Sequence, residues 1–164
     1  MTMTEREGDV PVGEIHADIV YYSSPSGNTR RLVRKLGGDL ASLRIPPRWG
    51  RSAGDVLVMV TPFVLIIPTF KTTRNGFVPD AVKRFLVRDS NHERMVGVIG
   101  TGNRNFGTEF CRAAEAVADR FGVPILGEVE LSGAPGEEKT LHDAIVNALG
   151  GVDIVRERKG ETLK

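Results

Sequence analysis

The chain has one cysteine, Cys111, and three separated histidines, His16, His92 and His142. An intramolecular disulfide is excluded, no side-chain set has metal-ligand spacing, and a reducing, cytoplasmic location is expected. Excess charge of one sign is also missing. The 22 basic and 21 acidic residues leave a formal charge of +1, so neither a nucleic-acid footprint nor an acidic solvating surface is expected. Long apolar runs are absent too. The most apolar stretch, Val56 to Ile67, is broken by Pro62 and falls short of the roughly 20 residues of a membrane span, so no membrane partner is expected. The first 17 residues are polar and lack the apolar centre of a secretory signal. Residues 1–17 and the mostly charged 151–164 are expected to be flexible polar tails around one domain, residues 18–150.

What is present is an alternation of strand and helix patterns. Ile19 to Tyr22 forms a short strand, and Leu32, Val33 and Leu36 share one face of a helix that ends at Gly37-Gly38. Ala41 to Ile45 reads as an edge strand closed by Pro46-Pro47. Phe63 to Ile67 is apolar on every side, the pattern of a central parallel strand covered on both faces. Val56 to Val60 is also strand-like, but its pattern does not place it. Helix, strand, helix, strand and helix follow over Val78 to Val87, Met95 to Ile99, Phe106 to Phe121, Leu126 to Leu131 and about Glu137 to Leu149. Five strands and four helices in alternation imply a doubly wound α/β sandwich. Ligands of such sheets bind at the carboxyl ends of the strands, where the strand order reverses.

The first strand leads into Ser23-Ser24-Pro25-Ser26-Gly27-Asn28-Thr29 and then directly into a helix. Ser26 or Asn28 alone would serve as an ordinary helix cap. Five polar donors within seven positions exceed that need, and with Gly27 and a helix N-terminus they suit a phosphate. Neither Gly-Lys-Ser/Thr nor Gly-x-Gly-x-x-Gly occurs, and no cysteine lies in the turn, so a nucleotide-hydrolase loop, a dinucleotide fingerprint and a thiol phosphatase loop are set aside. The loop from Thr69 carries Phe70, which can lie against a flat ring, with Lys71 and Thr72 beside it. Gly102, Asn103, Asn105, Phe106 and Gly107 make the third loop, where glycine permits close backbone approach and amides can address a polar ring edge. A flat heteroaromatic with one phosphate suits all three, and flavin mononucleotide (FMN) is the obvious candidate. Ordinary strand-to-helix loops also contain Gly and Asn, so either ring loop alone is weak evidence.

Val20-Tyr21-Tyr22-Ser23-Ser24, Ser26-Gly27-Asn28-Thr29-Arg30, Arg44-Ile45-Pro46, Pro62 to Phe70, Val78-Pro79, Arg84-Phe85-Leu86, Gly102-Asn103-Arg104-Asn105-Phe106-Gly107, Phe110-Cys111, Val123-Pro124 and Glu130-Leu131 together resemble the NrdI family. These are flavodoxin-like activators of class Ib ribonucleotide reductase. The resemblance covers about residues 18 to 135, and Gly-Asn-Arg-Asn-Phe-Gly is its most specific string. It implies a flavodoxin-like parallel sheet of order 2-1-3-4-5 and one FMN. It also implies two partners: the radical-generating, dimanganese subunit of the reductase, and an upstream flavodoxin or ferredoxin reductase. Reduced flavin would react with dioxygen and pass a superoxide-level oxidant to the dimanganese centre, which oxidises a tyrosine. The chemistry is centred on the flavin, with no catalytic side chain.

The loop after Phe70 departs from the family's glycine run by reading Lys71-Thr72-Thr73-Arg74. A side chain at Lys71 makes a positive φ costly there, and Lys71, Arg74 and Arg104 either raise the flavin potential above that of acidic flavodoxins or only solvate a long exposed loop. The family's aromatic ending is missing after Leu149. Competing readings are a general flavodoxin carrier and a flavin-free module that keeps the fold. Cys111 is expected to be a buried packing residue on the apolar side of the third helix, and Arg48 and Trp49 are left open between surface loop and partner contact.

Overall fold

The computed structural model describes residues 12–23, 26–37, 39–69, 77–103 and 111–163, with side chains described as far as residue 150. The elements run β1 (Gly13–Ile15), β2 (Ile19–Tyr21), α1 (Asn28–Lys35), β3 (Ser42–Arg44), β4 (Leu57–Met59), β5 (Phe63–Pro68), α2 (Asp80–Val87), β6 (Met95–Gly102), α3 (Arg112–Phe121), β7 (Ile125–Glu130) and α4 (Glu137–Leu163). A 3₁₀ segment, Arg88–Arg94, joins α2 to β6.

Five strands form one parallel sheet in the order β3-β2-β5-β6-β7. Numbered among themselves they give the expected 2-1-3-4-5. All six residues of β5 are buried, as an apolar central strand covered on both faces must be. The alternation of side chains divides the core in two. Ile19, Tyr21, Val64 and Ile66 pack with Leu32 and Val33 of α1 and with Leu141 and Ile145 of α4. Val20, Leu65 and Ile67 pack with Val82 and Phe85 of α2 and Ala113 and Val117 of α3. Helix α3 lies unusually close to the sheet. A Cβ at Gly100 would stand 2.8 Å from that of Ala114 and 2.9 Å from that of Cys111, so glycine sets the spacing.

Two expectations about the ends do not match. The polar arm was to run through residue 17, yet β1 pairs in parallel with β4, Gly13 opposite Leu57 and Ile15 opposite Met59, as a separate two-stranded sheet. Ile15 and Ala17 are buried, and the Thr61 hydroxyl accepts the Ala17 N–H at 3.1 Å and donates to its carbonyl at 3.2 Å. A strand of three residues with one large apolar side chain leaves no periodic signal, and the same pairing settles the unplaced Val56 to Val60 segment. The last helix was to end near Leu149, whereas α4 continues to Leu163. Gly150-Gly151 weakens a helix by only about 1 kcal/mol per residue, and no proline follows to stop it.

Trp49, left open between loop and partner contact, is a core residue. It is 3% exposed, meets Phe85 edge-on at 5.9 Å, and its carbonyl accepts from Arg84 Nε at 2.7 Å. Asn91 fastens the same region. Its Oδ1 accepts the Met59 N–H at 2.9 Å, while Nδ2 donates to the carbonyls of Leu57 and Phe85 at 2.8 and 2.9 Å.

Candidate functional site

Because the five strands are parallel, the chain leaves β2, β5 and β6 at one edge of the sheet. Between β2 and β5 the strand order reverses, since β3 lies on one side of β2 and β5 on the other. The three predicted loops begin at this edge. Ser23 is buried at the end of β2, Thr69 is buried just past β5, and Gly102 and Asn103 are half-buried at the end of β6. Of the remaining predicted residues, Ser24, Phe70, Lys71, Thr72, Asn105, Phe106 and Gly107 lie outside the described residues, as do Arg74 and Arg104.

The described part of the first loop has the features an anion needs. Gly27 caps α1 in the left-handed region, with φ 76°, a conformation glycine adopts without steric cost. The cap brings no side-chain acceptor to the first-turn N–H groups, and no acidic residue occupies that turn. Ser26 is exposed, Asn28 is half-buried, and Arg31 donates to the Ser26 carbonyl and to Asn28 Oδ1, tying the helix to its loop. Exposed hydroxyl, open helix end and absent carboxylate together fit the phosphate of a flavin.

Beneath the loops runs a contact that sequence reasoning missed. The hydroxyls of Thr29 and Thr101 meet at 2.9 Å, both side chains being buried, so the start of α1 is bonded to the end of β6. The Thr69 N–H donates to the Thr101 carbonyl at 3.1 Å, and the Thr69 hydroxyl accepts the Ala113 N–H at 2.8 Å. These bonds join the bases of all three loops and the first turn of α3. The available signal was a polar residue, Thr101, at the end of an otherwise apolar strand.

Tyr22 follows β2 at the same edge. Burial raises its phenol pKa, opposed by the positive charge of Arg44. Cys111 is buried as expected, but it stands before α3 as its N-cap, with φ 57°, and not on the body of the helix. Burial first, then the charge of Glu128, pushes its thiol up to about 12, so it is no thiolate nucleophile. A cavity of about 260 Å³ opens between α2 and α3, lined by Phe77, Leu86, Val117 and Phe121 among others, and contains none of the predicted flavin residues. Among the described residues no group of His, Cys, Asp and Glu has the arrangement of a metal site. No described helix is long and apolar enough to cross a membrane.

Strand order, core layers and loop edge define a flavodoxin-like fold. Two solved structures share it at low identity. A short-chain flavodoxin associated with a non-canonical PDU bacterial microcompartment aligns over 84% of this chain and 99% of its own, with 12% identity and a TM-score of 0.54. Oxidised Flavodoxin 2 from Bacillus cereus aligns over 83% and 99%, with 17% identity and a TM-score of 0.52. Sequence gives the narrower assignment. The family described as NrdI Flavodoxin like matches residues 20–143. Protein NrdI of Mycobacterium leprae is 36% identical over 137 residues, covering 79% of this chain and 94% of the relative. Protein NrdI of Chromohalobacter salexigens is 44% identical over 120 residues, covering 72% and 85%. The chain belongs to the NrdI family, and that membership implies a flavin cofactor.

Proposed function

We propose that this protein binds FMN and, once reduced, activates class Ib ribonucleotide reductase. The bound flavin would supply the chemistry, passing electrons to dioxygen to give a superoxide-level oxidant for assembly of the dimanganese-tyrosyl radical cofactor in the reductase's radical-generating subunit. Ser23, Ser24, Ser26, Gly27, Asn28 and Thr29 hold the phosphate in this reading. Thr69, Phe70, Lys71 and Thr72 flank one side of the ring, and Gly102, Asn103, Asn105, Phe106 and Gly107 line the other. An upstream flavodoxin or ferredoxin reductase provides electrons. The observation that carries the reading is the open, acid-free start of α1 at the strand-order reversal, in a chain that matches the NrdI family over residues 20–143.

The chain's own residues bind and orient. The α1 dipole and first-turn N–H groups favour the phosphate dianion, while the bonded threonines keep the three loop bases at fixed separation. Two measurements test the reading in order. Purified protein titrated with FMN should quench its fluorescence and become yellow. The reduced, FMN-loaded protein, mixed with dioxygen and a manganese-loaded class Ib radical subunit, should then give a tyrosyl radical by electron paramagnetic resonance. A radical yield equal to that of a control lacking the protein would reduce the reading to an electron carrier, and failure to bind FMN would remove both.

A further inference from the structure

Helices α2 and α3 cover the same face of the sheet but do not pack closely on one another. Their residues explain the gap. Ala113 and Ala114 let α3 approach the strands, and Ala116, which lines the space between the helices, offers only a methyl group to fill it. The resulting cavity of about 260 Å³ has Leu86 and Val117 as its floor, 1% and 2% exposed, and Phe77, Val78 and Phe121 as further apolar walls. Val87, the last residue of α2, also lines it and is 56% exposed.

Unfilled space of this size is unusual in a folded protein, where few voids exceed a water molecule. A water held in such a space needs about two to four polar partners, and apolar walls supply none. The charged residues that line the cavity are Lys83 on α2 and Arg120 on α3, both cations. The acids of α3, Glu115 and Asp119, do not line it. Arg120 is exposed, with its guanidinium 5.4 Å from the centre of the Phe121 ring, and among the described residues it meets no carboxylate. An occupant with an apolar body and one negative charge matches both features.

We propose that the cavity between α2 and α3 binds a small apolar carboxylate, its hydrocarbon body against Leu86, Val117 and Phe121 and its anion on Arg120 at the mouth. The site is separate from the proposed flavin site, none of whose residues lines it. Its volume sets the size of the ligand. At the ~30 Å³ that a water-sized group occupies, 260 Å³ holds about nine non-hydrogen atoms, which suits a medium-chain or single-ring acid and is too small for a flavin. Burial of the body supplies the attraction, and the paired N–H donors of the guanidinium, which match the two carboxylate oxygens, fix its orientation.

The test uses octanoate as the probe, octan-1-ol as its uncharged counterpart and acetate as an anion without the body, each titrated into the isotope-labelled chain while amide chemical shifts are followed. Octanoate should bind saturably, at about 1 mM or tighter, with shifts centred on Leu86, Val87, Val117 and Phe121, where acetate should cause none. R120Q should weaken octanoate about tenfold and leave octan-1-ol as before. A116F and V87F, which fill the mouth from one helix or the other, should each weaken both ligands about tenfold or more while the unfolding midpoint is kept. Shifts that never saturate or that spread over the whole surface overturn the site, and so does full affinity in both filled variants. Equal losses of octanoate and octan-1-ol in R120Q, or no loss of either, overturn the assignment of the anion to Arg120. Line broadening at the same residues that grows with protein concentration and ignores octanoate would give the cavity to a second copy of the chain, against the proposal.

Discussion

The two ends of the main sheet use polar side chains for different purposes. At the amino end, Asn91 commits its Oδ1 and both Nδ2 hydrogens within the fold, and Phe63, Phe85 and Trp49 form an edge-to-face stack beside it. At the carboxyl end, buried threonines tie loop bases together, while Gly27 and the first turn of α1 leave donors without a side-chain cap. One end spends its polar groups on stability. In the proposed reading, the other holds them in place for the phosphate of the flavin. If that division is right, substitutions at the amino end should alter unfolding and leave flavin affinity of the folded protein alone, and substitutions at the carboxyl end should do the reverse.

The largest effect is expected from Phe85→Ala. Phe85 is fully buried and contacts both Phe63 and Trp49, so truncation should cost about 3–5 kcal/mol in urea unfolding. Asn91→Leu strands the Leu57 and Phe85 carbonyls and the Met59 N–H, and should cost about 3 kcal/mol. Neither should change the FMN dissociation constant of the folded fraction. Thr101→Val would break the division if it acted on stability alone. Loss of the Thr29 contact should cost about 1–2 kcal/mol and also weaken FMN binding, with Thr101→Ser restoring both. Gly27→Ala sharpens the comparison further. Its φ of 76° disfavours a side chain, and the added Cβ would stand 3.3 Å from the Arg31 guanidinium, so stability should fall by about 1 kcal/mol. FMN affinity should fall about tenfold or more, as titration of flavin fluorescence would show, because the first-turn donors move with the cap.

The main sheet was legible because its central strand is apolar on both faces and its helices carry regular stripes. β5 and the Leu32-Val33 stripe of α1 each carry a pattern long enough to read. The two-stranded sheet was not legible, since Gly13-Glu14-Ile15 has no pattern distinguishable from an arm, and its partner Leu57 to Met59 shows its purpose only when paired. Trp49 follows a proline pair, and its burial depends on Phe85 more than thirty residues away. The hydroxyl-rich turn leading straight into α1 was readable from local chemistry alone, through the density of hydroxyls before a helix. The threonine contact beneath it joins residues 72 positions apart, a separation that no local spacing encodes.

The smallest effect expected concerns a contact at neither end of the sheet. His142 on α4 meets Asp39, beyond α1, with Nε2 3.0 Å from Oδ2, and Asp143 lies 3.7 Å from its other ring nitrogen. The hydrogen bond to Asp39 is the main cause raising the imidazole pKa above 6.5, against a smaller desolvation effect. A basic group whose folded pKa exceeds its unfolded value binds protons more tightly when folded, so folding gains stability as pH falls. The gain is complete below the unfolded value of about 6.5 and is lost as pH rises through the higher folded value. Asp39→Asn should therefore lower the unfolding midpoint at pH 5.5 by a degree or two and leave it nearly unchanged at pH 9, a difference that salt should shrink because the pair is open to solvent. Equal losses at both pH values would mean that what Asp39 contributes does not depend on the charge of His142.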